Sequence, residues 1–251
     1  MKQLTIATAK QRLLAASPGL YAGVVSDLDV GRPRAYESHG AVLLKTLWSL
    51  SGDPRVDGIT TWYICDLGGS DLTAARRALK RKPSSRNSKR ATYSIGECNG
   101  DNCLMFSRLG ERYDDPHIRP LNEEDCAAIR LILQVSEDDS EDAKAIAGVI
   151  RDELAAYMRD PTRHFLGLFE GTALQGVLAY HNQDNSEIIT ISDVFVPQAL
   201  RGRGYAARLV RAATAVHPGT RYVYSCGSQN AASIATAKKA GYMLAGTCDF
   251  W

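Results

Sequence analysis

The feature that most constrains the fold is a glycine-containing turn between a strand and a helix at residues 195–210, FVPQALRGRGYAARLV. Apolar residues lead into Arg201-Gly202-Arg203-Gly204, and an alanine-rich helical run comes after them. The unpaired N–H groups of a first helical turn, together with the helix dipole, favour an anion at this position. The two glycines let the backbone turn and let a bulky anion approach without meeting Cβ atoms. The stretch therefore predicts a pyrophosphate site.

Two nucleotide-binding motifs fit this stretch less well. A P-loop needs Lys-Ser or Lys-Thr after its glycines, and neither is present. A dinucleotide fingerprint is matched in the variant form Gly202-x-Gly204-x-x-Ala207, but that fingerprint belongs to a parallel unit near the start of a domain. Here the glycines come after two hairpin-linked strands and lie some 50 residues from the C-terminus. The remaining alternative is a plain Arg/Gly turn that caps a surface helix.

The elements around this turn predict a mixed α/β domain over residues 116–251. Asn122 caps a first helix, and Ser140 caps a second one after an acidic loop. Two strands then meet at a tight turn, Glu170-Gly171, and a third covers 186–196. The remaining predicted elements are a helix at 204–216, a strand at 220–226, a helix at 230–242 with Asn230 as its cap and Gly241 as its stop, and a final strand.

Residues 1–115 predict a smaller α/β domain in which no catalytic pattern is present. The segment 37–52 has helical periodicity, and GITTWYICDL at 58–67 has a strand composition. The Asn-Gly pair in CNGDN predicts a hairpin between ATYSIGE and CLMFSRL. ERYDDPHIRP at 111–120 is interpreted as the connector between the domains.

A basic run at 74–90 contains eight Lys and Arg residues and no acidic residue. Asp71 is the expected cap of a helix that Pro83 ends, and PSSRNSKR is expected to be an exposed loop. A solvated helix face is favoured over a phosphate-binding patch for RNA or a nucleotide, because no aromatic residues interleave with the basic ones. Nucleic acid is therefore not an expected partner.

Composition limits the class of protein further. The formal net charge is +2, so no strong field demands nucleic acid or a membrane. No apolar run reaches the ~18 residues of a membrane span, and the N-terminus lacks the apolar core of a signal peptide. A cytoplasmic protein is expected. The six cysteines form no CxxC pair, so reduced thiols are expected rather than a metal site, although CNGDNC has a spacing at the edge of that of zinc ligands.

The glycine-containing turn and the segment C-terminal to it resemble the GNAT family of N-acetyltransferases. Arg201-Gly-Arg-Gly204-Tyr-Ala206 fits the family signature [QR]-x-x-G-x-[GA], and SQNAASIATAKKAGYMLAG is similar to its second signature. The resemblance covers about residues 117–251, and within the family the C-terminal part is similar to the FR47-like and ZmaR-like members. It implies a mostly antiparallel central sheet flanked by helices. A degenerate second copy of this fold is left open for residues 1–115.

The resemblance also implies the cofactor site. The amides of Gly202, Arg203, Gly204, Tyr205, Ala206 and Ala207, with the charge of Arg201, would hold the pyrophosphate of acetyl-CoA. The strand residues Val194, Phe195 and Val196 would pair with the pantetheine arm, and an amide near Val196 would polarise the thioester carbonyl. Asn230 would bond the cofactor arm, a role compatible with that of a plain N-cap.

One departure from the family concerns the general acid. Many members carry a Tyr seven residues after the Asn, and here that position is Ala237. Tyr224 is kept as a candidate proton donor. Asp193 is the first candidate for the general base that deprotonates an attacking ammonium, and Glu187 is the second. Each of these residues has an ordinary structural role as its alternative.

The predicted function is N-acetyl transfer from acetyl-CoA to a primary amine of a small molecule, by direct attack in a ternary complex. Two alternatives stay open. One is a non-catalytic acyl-CoA-binding regulatory module, which Ala237 suggests. The other is an acetyltransferase that acts on protein or RNA, with the basic run as its docking surface. The sequence does not distinguish a monomer from a homodimer.

Overall fold

The structure is a computed structural model that describes residues 1–21, 24–25, 33–48, 59–80, 88–94, 103–135, 141–182 and 188–250. It has the predicted mixed α/β class and divides into two compact units. The first unit contains residues 1–107, 225–231 and 244–251, and the second contains 108–224 and 232–243. The first unit thus includes the end of the chain, which the sequence analysis grouped with residues 116–251.

The first unit is built on a sheet in the order β1-β2-β3-β4-β5-β12-β6. β4 and β5 are parallel, with a helix between them in sequence, whereas β1 to β4 pair antiparallel. The elements are β1 (Lys2–Leu4), α1 (Ile6–Ala16), β2 (Arg34–Ser38), β3 (Ala41–Trp48), β4 (Ile59–Cys65), α2 (Leu72–Lys80), β5 (Ser88–Ser94), β6 (Cys103–Leu109) and the last strand of the chain, β12 (Met243–Phe250).

The helix expected at 37–52 is wrong, because this segment contains the strand β3. His39 and Gly40 have φ values of 52° and 81° and reverse the chain between β2 and β3. β3 is then paired on both edges, and its faces are buried in different clusters, Leu44 in one and Leu43 in the other. A strand buried on both faces is a continuous apolar run, which periodicity alone does not distinguish from a helix.

The hairpin expected across CNGDN is also wrong. β12 lies between β5 and β6, with Cys248 opposite Tyr93. A turn signal in the sequence is local, whereas this pairing joins strands about 150 residues apart. Residues 88–90, expected in a loop, belong to β5. The expected turn itself and Pro83 lie outside the described residues.

The second unit is built on a sheet in the order β11-β10-β9-β8-β7. Its pairs are antiparallel except for β10 and β11, which are parallel. The elements are β7 (Ile118–Pro120), α3 (Cys126–Val135), α4 (Glu141–Arg159), β8 (Arg163–Glu170), β9 (Ala173–Asn182), β10 (Ile188–Phe195), α5 (Tyr205–Val216), β11 (Arg221–Gly227) and α6 (Ala231–Lys239).

The two faces of this sheet pack against different helices. Phe165 and Val177 form a cluster with Ile129 and Leu133 of α3 and with Leu154 of α4. Helix α5 contacts β8, β9 and β10 and buries an apolar side made of Leu209, Val210 and Ala213. Because these helices are amphipathic, each covers one side of the sheet with its apolar face.

Several sequence predictions are confirmed by the local geometry. Asn122 and Asp125 form a capping box before α3. Asp71 accepts a hydrogen bond from the Ala74 amide at 2.9 Å, as the cap of α2. β8 and β9 form the predicted hairpin, and Gly241 has the φ of 82° expected of a helix stop. Ser140 lies outside the described residues.

No helix in the described part of the chain is long and apolar enough to cross a membrane. Among the same residues, no three His, Cys, Asp or Glu side chains form a group that could hold a metal ion. Cys65, Cys103, Cys126, Cys226 and Cys248 are free thiols. Cys98 lies outside the described residues.

Candidate active site

The predicted anion site is an open loop between β10 and α5. After β10 the chain makes a short 3₁₀ turn at Gln198–Leu200, and the Arg201 side chain then donates its Nε–H to the carbonyl of Val196 at 3.1 Å. Gly202 and Gly204 have φ values of 78° and 82°, which favour glycine. A Cβ atom added at either position would meet nothing within 4 Å. The glycines are therefore required by the backbone path, and the space in front of them is free of the described protein atoms.

The loop presents backbone donors to this space. Gly204 is the N-cap of α5 and supplies no side-chain acceptor, and the first helical hydrogen bond runs from the Arg208 amide to the Gly204 carbonyl at 3.0 Å. The amides that precede Arg208 in the first turn have no carbonyl within the helix to bond. Gly202 and Arg203 are exposed, and Ala206 and Ala207 are half-buried. Donors, a helix dipole and room for a ligand therefore coincide at the predicted residues.

The side chains of Arg201 and Tyr205 form hydrogen bonds within the protein and stabilise the loop. The Arg201 guanidinium braces the loop on Val196, and Tyr205 is buried with its hydroxyl bonded to the carboxylate of Glu170. Tyr205 can therefore contribute its backbone amide to an anion, but its ring belongs to the packing.

A group of residues that the sequence analysis did not identify holds α5 in place. The Asp115 carboxylate accepts hydrogen bonds from Nε and Nη2 of Arg208, each at 2.8 Å. These bonds lower the pKa of Asp115 to about 2. Tyr113 donates its hydroxyl to Asp115, and the Arg211 guanidinium lies 4.6 Å from the centre of the Tyr113 ring. The segment interpreted as a connector is thus fastened to the helix that begins at the candidate site.

After Ile191, the register of β10 continues with β9 but not with β11. β10 pairs with β11 from Ile188 to Ile191, where the register ends at Tyr224, and β10 then continues to Phe195. On its other edge β10 stays paired with β9, with a bulge between Ile191 and Asp193. Within the described residues, the backbone of Val194 and Phe195 on the β11 side therefore lies beyond that register. An extended ligand can pair with such a free strand edge.

Asp193 lies on the sheet face that α3 and α4 cover. Directly opposite neighbours share a face, and Asp193 lies opposite Ala179, which in turn lies opposite Phe165 of the core. Burial raises the pKa of the Asp193 carboxyl, and the positive charge of Arg163 opposes this shift. In the described part of the chain its side chain has no hydrogen-bond or ion-pair partner. A half-buried, unpaired carboxylate with a raised pKa is suited to accept a proton.

The groups around Asp193 are aromatic and charged. The Arg163 guanidinium lies 4.1 Å from the centre of the Tyr157 ring, and its Nε is 3.4 Å from a carboxylate oxygen of Asp160. His181 lies opposite Arg163 and bonds the Ser192 hydroxyl through Nδ1 at 2.7 Å. Burial lowers the pKa of His181, which favours the neutral imidazole.

Tyr224, Asn230 and Ala237 lie on different segments of the chain. Tyr224 is buried, with its ring edge-on to Tyr242 at 6.0 Å between centroids. Asn230 is exposed directly before α6 and belongs to the first unit. Ala237 is fully buried, and its carbonyl accepts a hydrogen bond from the Tyr242 amide. Glu187 lies outside the described residues. The roles of Tyr224, Glu187 and Asn230 stay predictions.

Residues 127–242 match the family model described as the acetyltransferase (GNAT) family. No curated protein sequence matches the chain. The match contains the loop, Asp193 and Ala237, and the FR47-like and ZmaR-like assignment stays a prediction.

Solved structures share the fold at low sequence identity. A GNAT-family acetyltransferase from Colwellia psychrerythraea is 13% identical, with a TM-score of 0.53 over 99% of this chain and 98% of that chain. A GCN5-related N-acetyltransferase from Kribbella flavida is 12% identical, with a TM-score of 0.51 over 92% and 95%. A Drosophila protein is also 12% identical, with a TM-score of 0.53 over 100% and 96%. At these identities the likeness shows the fold.

Proposed function

We propose that the chain transfers an acetyl group from acetyl-CoA to a primary amine of a small molecule. Residues 127–242 form an acetyltransferase domain of the GNAT family, and the chain is accordingly an acyltransferase. The observation that carries the proposal is the open loop at 201–207, which combines a free helix N-terminus with two glycines of positive φ. Its amides would hold the pyrophosphate, with the charge of Arg203 beside them.

The free edge of β10 supports the second part of the cofactor site. Val194, Phe195 and Val196 would bond the amide groups of the pantetheine arm as a neighbouring strand would. This arrangement would bring the thioester to the part of β10 that contains Asp193. An amide near Val196 would polarise the thioester carbonyl as an oxyanion-type donor.

Asp193 is proposed as the general base. An ammonium must lose a proton before its nitrogen can attack, and the Asp193 carboxylate would take that proton, directly or through water. The amine nitrogen then forms the new C–N bond as the C–S bond of the thioester breaks. The nitrogen releases its second proton to water to give the neutral amide, and CoA leaves as the thiol once its sulfur is protonated. A buried alanine stands where many family members have a proton-donating tyrosine, so water or Tyr224 would supply that proton.

The acceptor amine would lie on the sheet face of Asp193, beside Tyr157 and Arg163. The Arg163 charge opposes the burial that raises the pKa of Asp193, and Asp193 adds to the burial that raises the pKa of Tyr157, so the charges of these groups influence one another. The ring offers a flat surface for the carbon skeleton of an amine, and Asp193 offers the countercharge for its ammonium.

Thiol release separates this function from a non-catalytic acyl-CoA-binding module. Wild type and Asp193→Asn would be assayed with acetyl-CoA and a panel of primary amines, with acetyl-CoA binding measured in parallel. Turnover with at least one amine, reduced at least ~100-fold in Asp193→Asn while binding is kept, is expected. A chain that binds acetyl-CoA and releases no thiol beyond hydrolysis with any amine would favour the regulatory module.

A further inference from the structure

The first unit contains the same local arrangement that carries the open loop in the second. α2 joins the parallel strands β4 and β5, just as α5 joins the parallel strands β10 and β11. The chain leaves β4 through Asp66–Asp71, with the sequence DLGGSD, and enters α2 at Leu72. This loop corresponds in topology to residues 196–204, so the hydrogen-bond donors of the two loops can be compared.

Three amides of the first-unit loop, those of Leu67, Gly68 and Ser70, already donate hydrogen bonds to side chains of the same loop. Oδ1 of Asp66 accepts hydrogen bonds from the amides of Gly68 at 2.9 Å and Ser70 at 3.2 Å. The Ser70 hydroxyl accepts one from the Leu67 amide at 3.2 Å, and Asp71 caps α2. Asp66 is only 8% exposed. A carboxylate therefore occupies the place among the loop amides where a ligand oxygen would otherwise be bound.

The charge of the first-unit loop also opposes the binding of an anion. Asp71 places a carboxylate at the N-terminus of α2, where it caps the helix and is favoured by the helix dipole, and Asp66 adds a second carboxylate in the same loop. An incoming pyrophosphate would have to displace them and would meet like charge as it approached. The loop at 196–204, in contrast, contains two arginines and no acidic residue.

We propose that Asp66 is a built-in substitute for a bound anion, so that the first unit is a closed copy of the cofactor-binding arrangement. The chain then binds one acyl-CoA, in its second unit. The part of the inference that concerns the second unit rests on the proposed function, whereas the closure of the first-unit loop does not.

Amide hydrogen exchange measured by NMR tests the closure without any ligand. In the wild type, the amides of Gly68 and Ser70 are expected to exchange at least ~10-fold more slowly than in Asp66→Ala, because each loses a hydrogen bond to a carboxylate in that variant. Asp71→Ala is the matched control, since it removes the cap of Ala74 and leaves both bonds to Asp66. Equal exchange at Gly68 and Ser70 in wild type and Asp66→Ala would overturn the proposal.

The proposal also implies that the chain binds a single acyl-CoA, in its second unit. Hydrogen exchange of the wild type with added acetyl-CoA tests this implication and requires no variant. Slower exchange is expected at residues 202–207 and not at 67–71, with a calorimetric stoichiometry of one. Slower exchange at 67–71, or a stoichiometry of two, would overturn the proposal whether or not Asp66→Ala folds. If acetyl-CoA slows exchange at neither loop and produces no heat, the proposed function is refuted, and the unliganded comparison still decides the closure.

Discussion

Removing the charge of Asp115 should destabilise the second unit. In Asp115→Asn, the bidentate ionic contact with Arg208, at 2.8 Å for both hydrogen bonds, becomes at best a neutral one. The contact lowers the pKa of Asp115 from 3.8 to about 2. A difference of nearly two pH units corresponds to about 2 kcal/mol. Since the Arg208 side chain is 32% exposed and partly screened by water, we expect a loss of ~1–2 kcal/mol in the free energy of unfolding.

The loss in unfolding free energy caused by Asp115→Asn should become smaller at low pH. The folded state holds the pKa of Asp115 below its unfolded value, so the stabilisation is complete above about pH 4 and disappears as the pH falls towards 2. The difference between wild type and Asp115→Asn should accordingly be constant from pH 7 to pH 5 and should shrink below about pH 4.

Urea unfolding of wild type, Asp115→Asn and Asp114→Asn at several pH values measures both effects. Asp114 is the control, because it is the exposed neighbour of Asp115 and its substitution removes the same charge from the same segment. The reasoning is refuted if Asp115→Asn is as stable as Asp114→Asn at pH 7, or if their difference grows as the pH falls.

Three further outcomes are expected. Turnover of the wild type should fall as the pH drops through the raised pKa of Asp193, and the residual turnover of Asp193→Asn should lack this step; a step that persists would assign it to another group. Gly110→Ala should destabilise the fold by ~2–4 kcal/mol, because its Cβ would lie 2.5 Å from the His217 carbonyl oxygen. Gly148→Ala, in open space within α4, should stabilise the fold by ~0.5–1 kcal/mol. Thermal unfolding that ranks the two variants in the reverse order contradicts this expectation. Arg76→Ala should lower the melting temperature and Arg77→Ala should not, since Arg76 bonds Asp249 and Thr92 whereas Arg77 is exposed; equal effects would contradict the structural role of Arg76.

The loop and its neighbours could be predicted from the sequence because their signals are local. Each of these signals determines the structure of only a few neighbouring residues. They are a glycine that needs a positive φ, an asparagine before an acidic turn, and a strand of alternating apolar and polar residues. Gly204, Asn122 and the β8–β9 hairpin were accordingly found where they were expected.

The elements that were missed depend on residues far apart in sequence. β12 separates β5 from β6 although the strongest turn signal lies between those two strands. Asp115 meets Arg208 across 93 residues, and no pattern in ERYDDPHIRP indicates this partner. Asp66 could have been found as a carboxylate directly after a strand and before two glycines, but its hydrogen bonds to Gly68 and Ser70 are visible only once the loop is folded.

The loop at 201–207 is proposed to hold acetyl-CoA. Calorimetric titration of acetyl-CoA into wild type, Gly204→Glu and Gly219→Glu tests it most directly. Gly204 and Gly219 share a φ near 83° and open space around a Cβ, so that both variants carry the same backbone strain and the same added charge. They lie before and after the 12-residue helix α5, whose axis is about 18 Å long. Binding is expected to be at least ~100-fold weaker in Gly204→Glu and unchanged in Gly219→Glu. Equal affinity in Gly204→Glu and the wild type would contradict it.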